Sequence, residues 1–231
     1  MNRCSDISIQ SLSQPGAYHR FRKMEGQDRI FELHTDRLWI LGLADGAGSL
    51  KHSGEGAESA LRTAGNYWIS NFKELWDYSE EKIAHLTLEY VRYELEKMAS
   101  REKEPVKDYG STLLLYGICL ENGREMLLHL GDGAIAAWRD GKAAVYSRPE
   151  NGKTRNQTFL TTGEGAADHA RVRKMEGLSE QIFLCSDGVY KADEAAENTV
   201  LEVNPDTIRK FLEEQEPEDD YSYILLRNHS L

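Results

Sequence analysis

The sequence is poor in several residues that would announce a particular class of protein. Of its 231 residues only three are cysteine and five are proline. Cys4, Cys119 and Cys185 are odd in number, far apart and without a CxxC pair, so neither a disulfide framework nor a thiolate zinc site is expected. A reducing, cytoplasmic setting suits such a chain. With no repeat, low-complexity tract or Pro/Gly-rich linker, residues 1–231 read as one domain. No stretch approaches the ~20 apolar residues that a membrane span needs. The opening MNRCSDISIQSLSQPG lacks the apolar run of a secretory signal. A surplus of basic residues is also missing: Lys and Arg number 28 against 39 Asp and Glu, a net charge of −11. General attraction to nucleic acid or to an anionic membrane is therefore excluded. An anion could be held only at a locally positive point.

What is present is a change of period along the chain. After an irregular polar start, residues 29–33 and 37–44 read as strands, the second (RLWILGLA) nearly all apolar. The glycine-rich ADGAGSLKHSGEG then breaks the pattern. Two helices follow. Ala57, Ala60, Leu61, Ala64, Trp68, Phe72, Leu75 and Trp76 recur at helical spacing in the first, and Ile83, Leu86, Tyr90 and Tyr93 in the second, beside a parallel stripe of Leu88, Val91, Leu95 and Met98. Ser79 is the expected N-cap of the second helix, and its aromatic residues are expected to be covered. From Gly110 the period becomes that of strands, at 111–120, 125–130, 134–138 and 142–146. Glu-Asn-Gly, Gly-Asp-Gly and Arg-Asp-Gly separate them, and an antiparallel meander is expected. Further strands are expected at 158–161, 181–185 and 221–227, and a short helix at 206–214. The order of elements is that of an α+β fold.

The placement of aspartate is the informative feature. Asp28, Asp45, Asp132, Asp187 and the pair Asp219/Asp220 each lie at a border between strand and turn, and three of them precede glycine. Any one Asp-Gly is most simply a turn. Asp45 and Asp187 are stronger, because each ends a strongly apolar strand, where a carboxylate gains nothing from burial unless it is paired. Carboxylates meeting on one sheet rim repel unless something positive lies between them. Oxygen donors without a Cys or His cluster point to a hard cation, Mg²⁺ or Mn²⁺.

The ordered set resembles the type-2C, metal-dependent (PPM) protein phosphatases, above all their compact bacterial branch. The matching segments are Gly26-Gln27-Asp28-Arg29, Ala44-Asp45-Gly46-Ala47-Gly48, Gly110-Ser111-Thr112, Leu130-Gly131-Asp132-Gly133, Leu184-Cys185-Ser186-Asp187-Gly188 and Asp219-Asp220-Tyr221-Ser222. The resemblance spans residues 16–226 and implies a four-layer α-β-β-α sandwich, two stacked, mainly antiparallel sheets flanked by helices. It implies that Asp45 bridges two metal ions with the Gly46 carbonyl on one of them. Asp187 and Asp219 would hold the other, Asp28 would reach the second, and Asp132 would bind a third, weaker ion. Either Asp219 or Asp220 is the ligand. The implied reaction is hydrolysis of phosphoserine or phosphothreonine in proteins by a metal-bridging hydroxide, with no covalent intermediate. Asp45 and Asp187 would thus be catalytic as well as ligating.

Ala47 stands where many eukaryotic relatives carry a histidine. His19 is a candidate participant weighed against a solvated surface imidazole. Arg20 and Arg22 are candidates for binding phosphate, weighed against a solvated charged face. The resemblance gives residues 156–161 no role, and it implies a reduced substrate-side loop, about 149–165. Implied partners are a phosphoprotein substrate and a cognate kinase, with the chain a monomer. Two other readings stay open: an inactive phosphatase-fold binding module, and a two-metal phosphatase for a small phosphorylated molecule.

Overall fold

The apolar stretch LWILGLA is apolar on both faces because both faces are covered. In a computed structural model, which describes residues 6–150, 158–190, 214 and 217–231, it forms β3 (Leu38–Ala44), inside one of two five-stranded sheets. That sheet runs β2 (Arg29–His34), β3, β4 (Leu113–Cys119), β5 (Arg124–Leu130) and β8 (Arg171–Glu176). The second runs β1 (Ile7–Gln14), β10 (Tyr221–Asn228), β9 (Gln181–Cys185), β6 (Ala134–Arg139) and β7 (Lys142–Ser147). Every pairing among the described strands is antiparallel.

Alternation along the strands sorts their side chains into layers. Leu41, Leu43, Leu114, Tyr116, Ile182, Leu184 and Ile224 form the core between the sheets. Ile40, Leu113, Leu115 and Met126 face the other way, into a core shared with α2 (Ser53–Trp76) and α3 (Glu80–Glu102). Ser79 caps α3 as expected, accepting from Lys82 N–H. The buried Trp68 indole on α2 donates to Thr87 Oγ1 on α3 at 2.9 Å, so its polar edge is satisfied inside the core. Short helices α1 (Ala17–Arg22), α4 (Ala166–His169) and α5 (Asp187–Tyr190) complete the described elements, with one 3-10 turn at Val106–Tyr109. The α+β class, two antiparallel sheets with helices, is as expected.

Several expectations need correction. The polar start is ordered as β1 and α1. Residues 158–161 are not a strand, and β8 was not foreseen. The expected meander is split between the sheets: β5 belongs to one and β6 to the other, and Gly131-Asp132-Gly133 is the crossing. Tyr90 and Tyr93 are 44% and 56% exposed rather than covered. The helix expected at 206–214 lies, except for Glu214, outside the described residues, as do Cys4 and residues 151–157 of the substrate-side loop. None of the helices among the described residues is long and apolar enough to cross a membrane.

Candidate functional site

Register within each sheet, together with the stacking of the two sheets, carries the acids to one rim. Arg29 pairs with Ala44, so Asp28 and Asp45 leave their strands side by side. Tyr223 and Ala134 both pair with Cys185, which brings the ends that carry Asp187, Asp219, Asp220 and Asp132 together. Asp45, Asp132 and Asp187 offer carboxylate oxygens that all lie within 4.8 Å of one another. With Asp219, Asp220, His19, Gln27 and Gly46 they line a cavity of about 410 Å³. Two larger hollows, of about 820 and 840 Å³, lie beside β8 and between α2 and α3. The chemistry, not the size, distinguishes the smaller one.

The Gly110-Ser111-Thr112 segment holds the Asp45 loop. Thr112 N–H donates to the Asp45 carbonyl at 2.8 Å and Asp45 N–H donates to Thr112 Oγ1 at 2.9 Å. Asp132 accepts from Thr158 Oγ1 at 2.6 Å, and Thr161 N–H donates to the Ser111 carbonyl. Residues 158–161 thus brace the rim, an arrangement that their sequence did not disclose. Gly188 is required where α5 meets the last acidic turn: a Cβ there would sit 1.9 Å from the Asp220 carbonyl oxygen.

The paired acids behave differently. Asp220 is buried and committed to the fold: Oδ1 accepts from Gly16 N–H at 2.8 Å and from His19 Nδ1 at 2.7 Å, while Oδ2 accepts from Gln27 N–H at 2.6 Å. Asp219 is exposed and lines the cavity. His19 is buried on the inner side of α1, not solvated, and lines the cavity. Arg20 and Arg22 are not brought into it. Arg20 donates to the Pro15 carbonyl, and the Arg22 guanidinium lies 3.8 Å from the centre of the Tyr18 ring. Among the described residues no Lys or Arg lines the cavity.

Electrostatically the cluster is incomplete. Burial pushes Asp28 up to about 7, against the opposing effect of Asp45, Ser222 and Ser186 nearby. Both Asp28 oxygens are buried without a donor at hydrogen-bond geometry among the described residues. Asp45 is held well above the carboxylate range by burial first, then by the charges of Asp28 and Asp187. Buried, crowded carboxylates with unsatisfied oxygens fit a hard divalent cation, which would supply the missing positive charge. Cys185 offers no alternative nucleophile: it is fully buried, and burial pushes its thiol up to about 12.

A family model described as "Protein phosphatase 2C" matches residues 15–221. Serine/threonine-protein phosphatase 3 of Escherichia coli (strain K12) is 24% identical over 149 residues, covering 64% of this chain and 58% of that protein. The chain thus matches less than two thirds of this relative. Among solved structures, the S. agalactiae serine/threonine phosphatase superposes with a TM-score of 0.66 at 19% identity, over 96% of this chain and 99% of that one. RsbX, solved in complex with magnesium, superposes with a TM-score of 0.64 at 15% identity, over 96% and 94%. At such identities these structures establish the shared fold.

Proposed function

Since the chain belongs to the protein phosphatase 2C family, we propose that it hydrolyses phosphoserine and phosphothreonine in proteins at the acidic rim, with Mg²⁺ or Mn²⁺ bound there. The observation that carries this reading is the cluster itself: carboxylate oxygens of Asp45, Asp132 and Asp187 converge within 4.8 Å, beside a buried Asp28 whose oxygens have no donor at hydrogen-bond geometry among the described residues. Asp28, Asp45, Asp187 and Asp219 would hold two ions, the Gly46 carbonyl would assist, and Asp132 would hold a third. Asp219 is assigned over Asp220 because both Asp220 oxygens already accept hydrogen bonds. When bound, divalent ions supply a water of near-neutral pKa and neutralise phosphoryl charge.

The residues of the chain do the rest. Thr112 and Gln27 fix the Asp45–Gly46 turn, and Gly46 N–H donates to the Gln27 carbonyl at 3.3 Å. Thr158 orients Asp132. Asp220 accepts the Nδ1 proton of His19, which leaves Nε2 as the ring atom available to carry a proton for water or the departing alkoxide. No side chain needs to be esterified, in keeping with the inert Cys185.

Phosphate release from phosphoserine and phosphothreonine peptides, with and without Mn²⁺, tests the reading. Wild type should turn these peptides over only with metal, and Asp45→Ala and Asp187→Ala should lose about 10²-fold or more. Equal turnover by all three would remove it. Preference for small phosphorylated metabolites over every peptide would favour a small-molecule phosphatase instead.

A further inference from the structure

Helix α1 has opposite chemistries on its two sides. His19 faces inward, 6% exposed, tied to Asp220 and lining the acid cavity. Its neighbours Tyr18 and Phe21 are 57% and 90% exposed, and Met24, just beyond the helix, is 50% exposed. These three are half of the six large apolar side chains left exposed among the described residues, and they fall within seven positions of one another. An exposed apolar cluster of this kind marks an interaction surface more often than scattered single residues do.

The charge around them is locally positive. Arg20, Arg22 and Lys23 are interleaved with the apolar residues, on a protein whose net charge is −11. The cavity next to them is lined by aspartates and, among the described residues, by no Lys or Arg. Bound ions would neutralise the phosphoryl group itself, but this lining offers no cationic side chain for acidic residues that flank it. A six-residue helix is only about 9 Å long, so the backbone positions of Arg20 and Arg22 on α1, and of Lys23 just after it, lie close to that of His19.

We propose that the outer face of α1 docks the protein segment that flanks the phosphorylated residue. Phe21 and Met24 would take an apolar side chain of that segment, and Arg20, Arg22 and Lys23 its acidic side chains. This inference rests on the phosphatase reading and adds a substrate class to it: phosphoproteins with acidic and apolar residues beside the phosphorylated site. An anionic bilayer is the less favoured occupant, because the rest of this acidic chain is repelled by such a surface.

The test uses the full chain with Mn²⁺. Substrates are a phosphoserine peptide flanked by Glu and Leu, the same peptide flanked by Ala, and p-nitrophenyl phosphate. Phe21→Ser and Lys23→Glu should each raise KM for the Glu/Leu peptide about five- to tenfold with kcat within twofold. Turnover of p-nitrophenyl phosphate should stay within twofold, and so should the KM for the Ala-flanked peptide. The thermal midpoint should not move for Phe21→Ser, since the ring contacts little. Fluorescence anisotropy with the Asp45→Asn chain should give a matching loss of affinity for the Glu/Leu peptide. Unchanged KM and affinity in both variants would overturn the proposal, as would parallel loss on all three substrates. Wild-type binding to phosphatidylserine vesicles that Phe21→Ser abolishes, with peptide KM unchanged, would overturn it in favour of a membrane surface. A chain that hydrolyses none of the substrates would remove the phosphatase reading, and the anisotropy would still decide the docking.

Discussion

Asp220 and His19, 201 positions apart in sequence, meet at 2.7 Å between Oδ1 and Nδ1. The same carboxylate accepts backbone N–H groups from Gly16 and Gln27, so one buried side chain fastens the segment around α1 to the start of β10. Asp219, one residue earlier, is exposed at the cavity. Adjacent acids therefore have separate surroundings, and the proposed function gives them separate duties.

Replacing each acid should separate those duties. Asp220→Asn sets an amide NH₂ against one of the donors now facing an oxygen, and should cost about 1–3 kcal/mol of stability. Asp219→Asn should leave the metal-free stability within about 0.5 kcal/mol and weaken Mn²⁺ binding tenfold or more. Urea denaturation and calorimetry read both effects. Equal stability losses would contradict the division.

Asp28 should cost stability when no metal is bound. Its folded pKa is raised from 3.8 to about 7, so between those values the folded state holds a proton that the unfolded chain has released. Its contribution is thus lost as pH rises from about 4 to about 7. Asp28→Asn should make the metal-free protein more stable at pH 8, by on the order of 2–4 kcal/mol, while abolishing stabilisation by Mn²⁺. Urea midpoints at pH 5 and pH 8 check this. A variant that is less stable than wild type at pH 8 would contradict it.

His129 should act with the opposite sign. Its ring is buried between Ser147 Oγ at 2.6 Å and the Gly131 carbonyl at 2.9 Å, next to the turn that carries Asp132. Burial, with the Arg171 charge added, lowers its pKa from 6.5 to about 3. The unfolded chain binds the extra proton in that window, so stability from this group is lost as pH falls from about 6.5 towards 3. His129→Gln should flatten the acid limb of the stability profile relative to wild type. An unchanged slope below pH 6 would contradict the assignment.

Two glycine substitutions should contrast. Gly188→Ala drives a Cβ into backbone at 1.9 Å and should lower the melting temperature and the activity together. Gly48→Ala meets only Gln27 Oε1, at 3.7 Å, and should leave the melting temperature nearly unchanged.

The acids were legible in the sequence because each lies near the end or start of a strand; antiparallel register gathers such positions within each sheet and stacking of the sheets joins the two groups on one rim. The difference between Asp219 and Asp220 was not legible: it depends on the N–H groups of Gly16 and Gln27, 204 and 193 positions away. The strand β1, ISIQSLSQ, was missed because it is mostly exposed and pairs only with β10 among the described strands, and β8, RVRKME, because an edge strand can carry so much charge. Gly131-Asp132-Gly133 looked like a hairpin, since nothing local tells a turn within a sheet from a crossing between sheets. His19 read as equally suited to solvent, and only its partner Asp220 accounts for its burial.

Titration of the metal-free chain with Mn²⁺ by isothermal calorimetry, beside Asp45→Asn and Asp187→Asn, probes the acidic rim itself. The wild type should bind about two ions, and each variant should lose at least one of them or bind tenfold more weakly or worse. Wild type that takes up no Mn²⁺, or variants that bind it as tightly as wild type, would contradict the account.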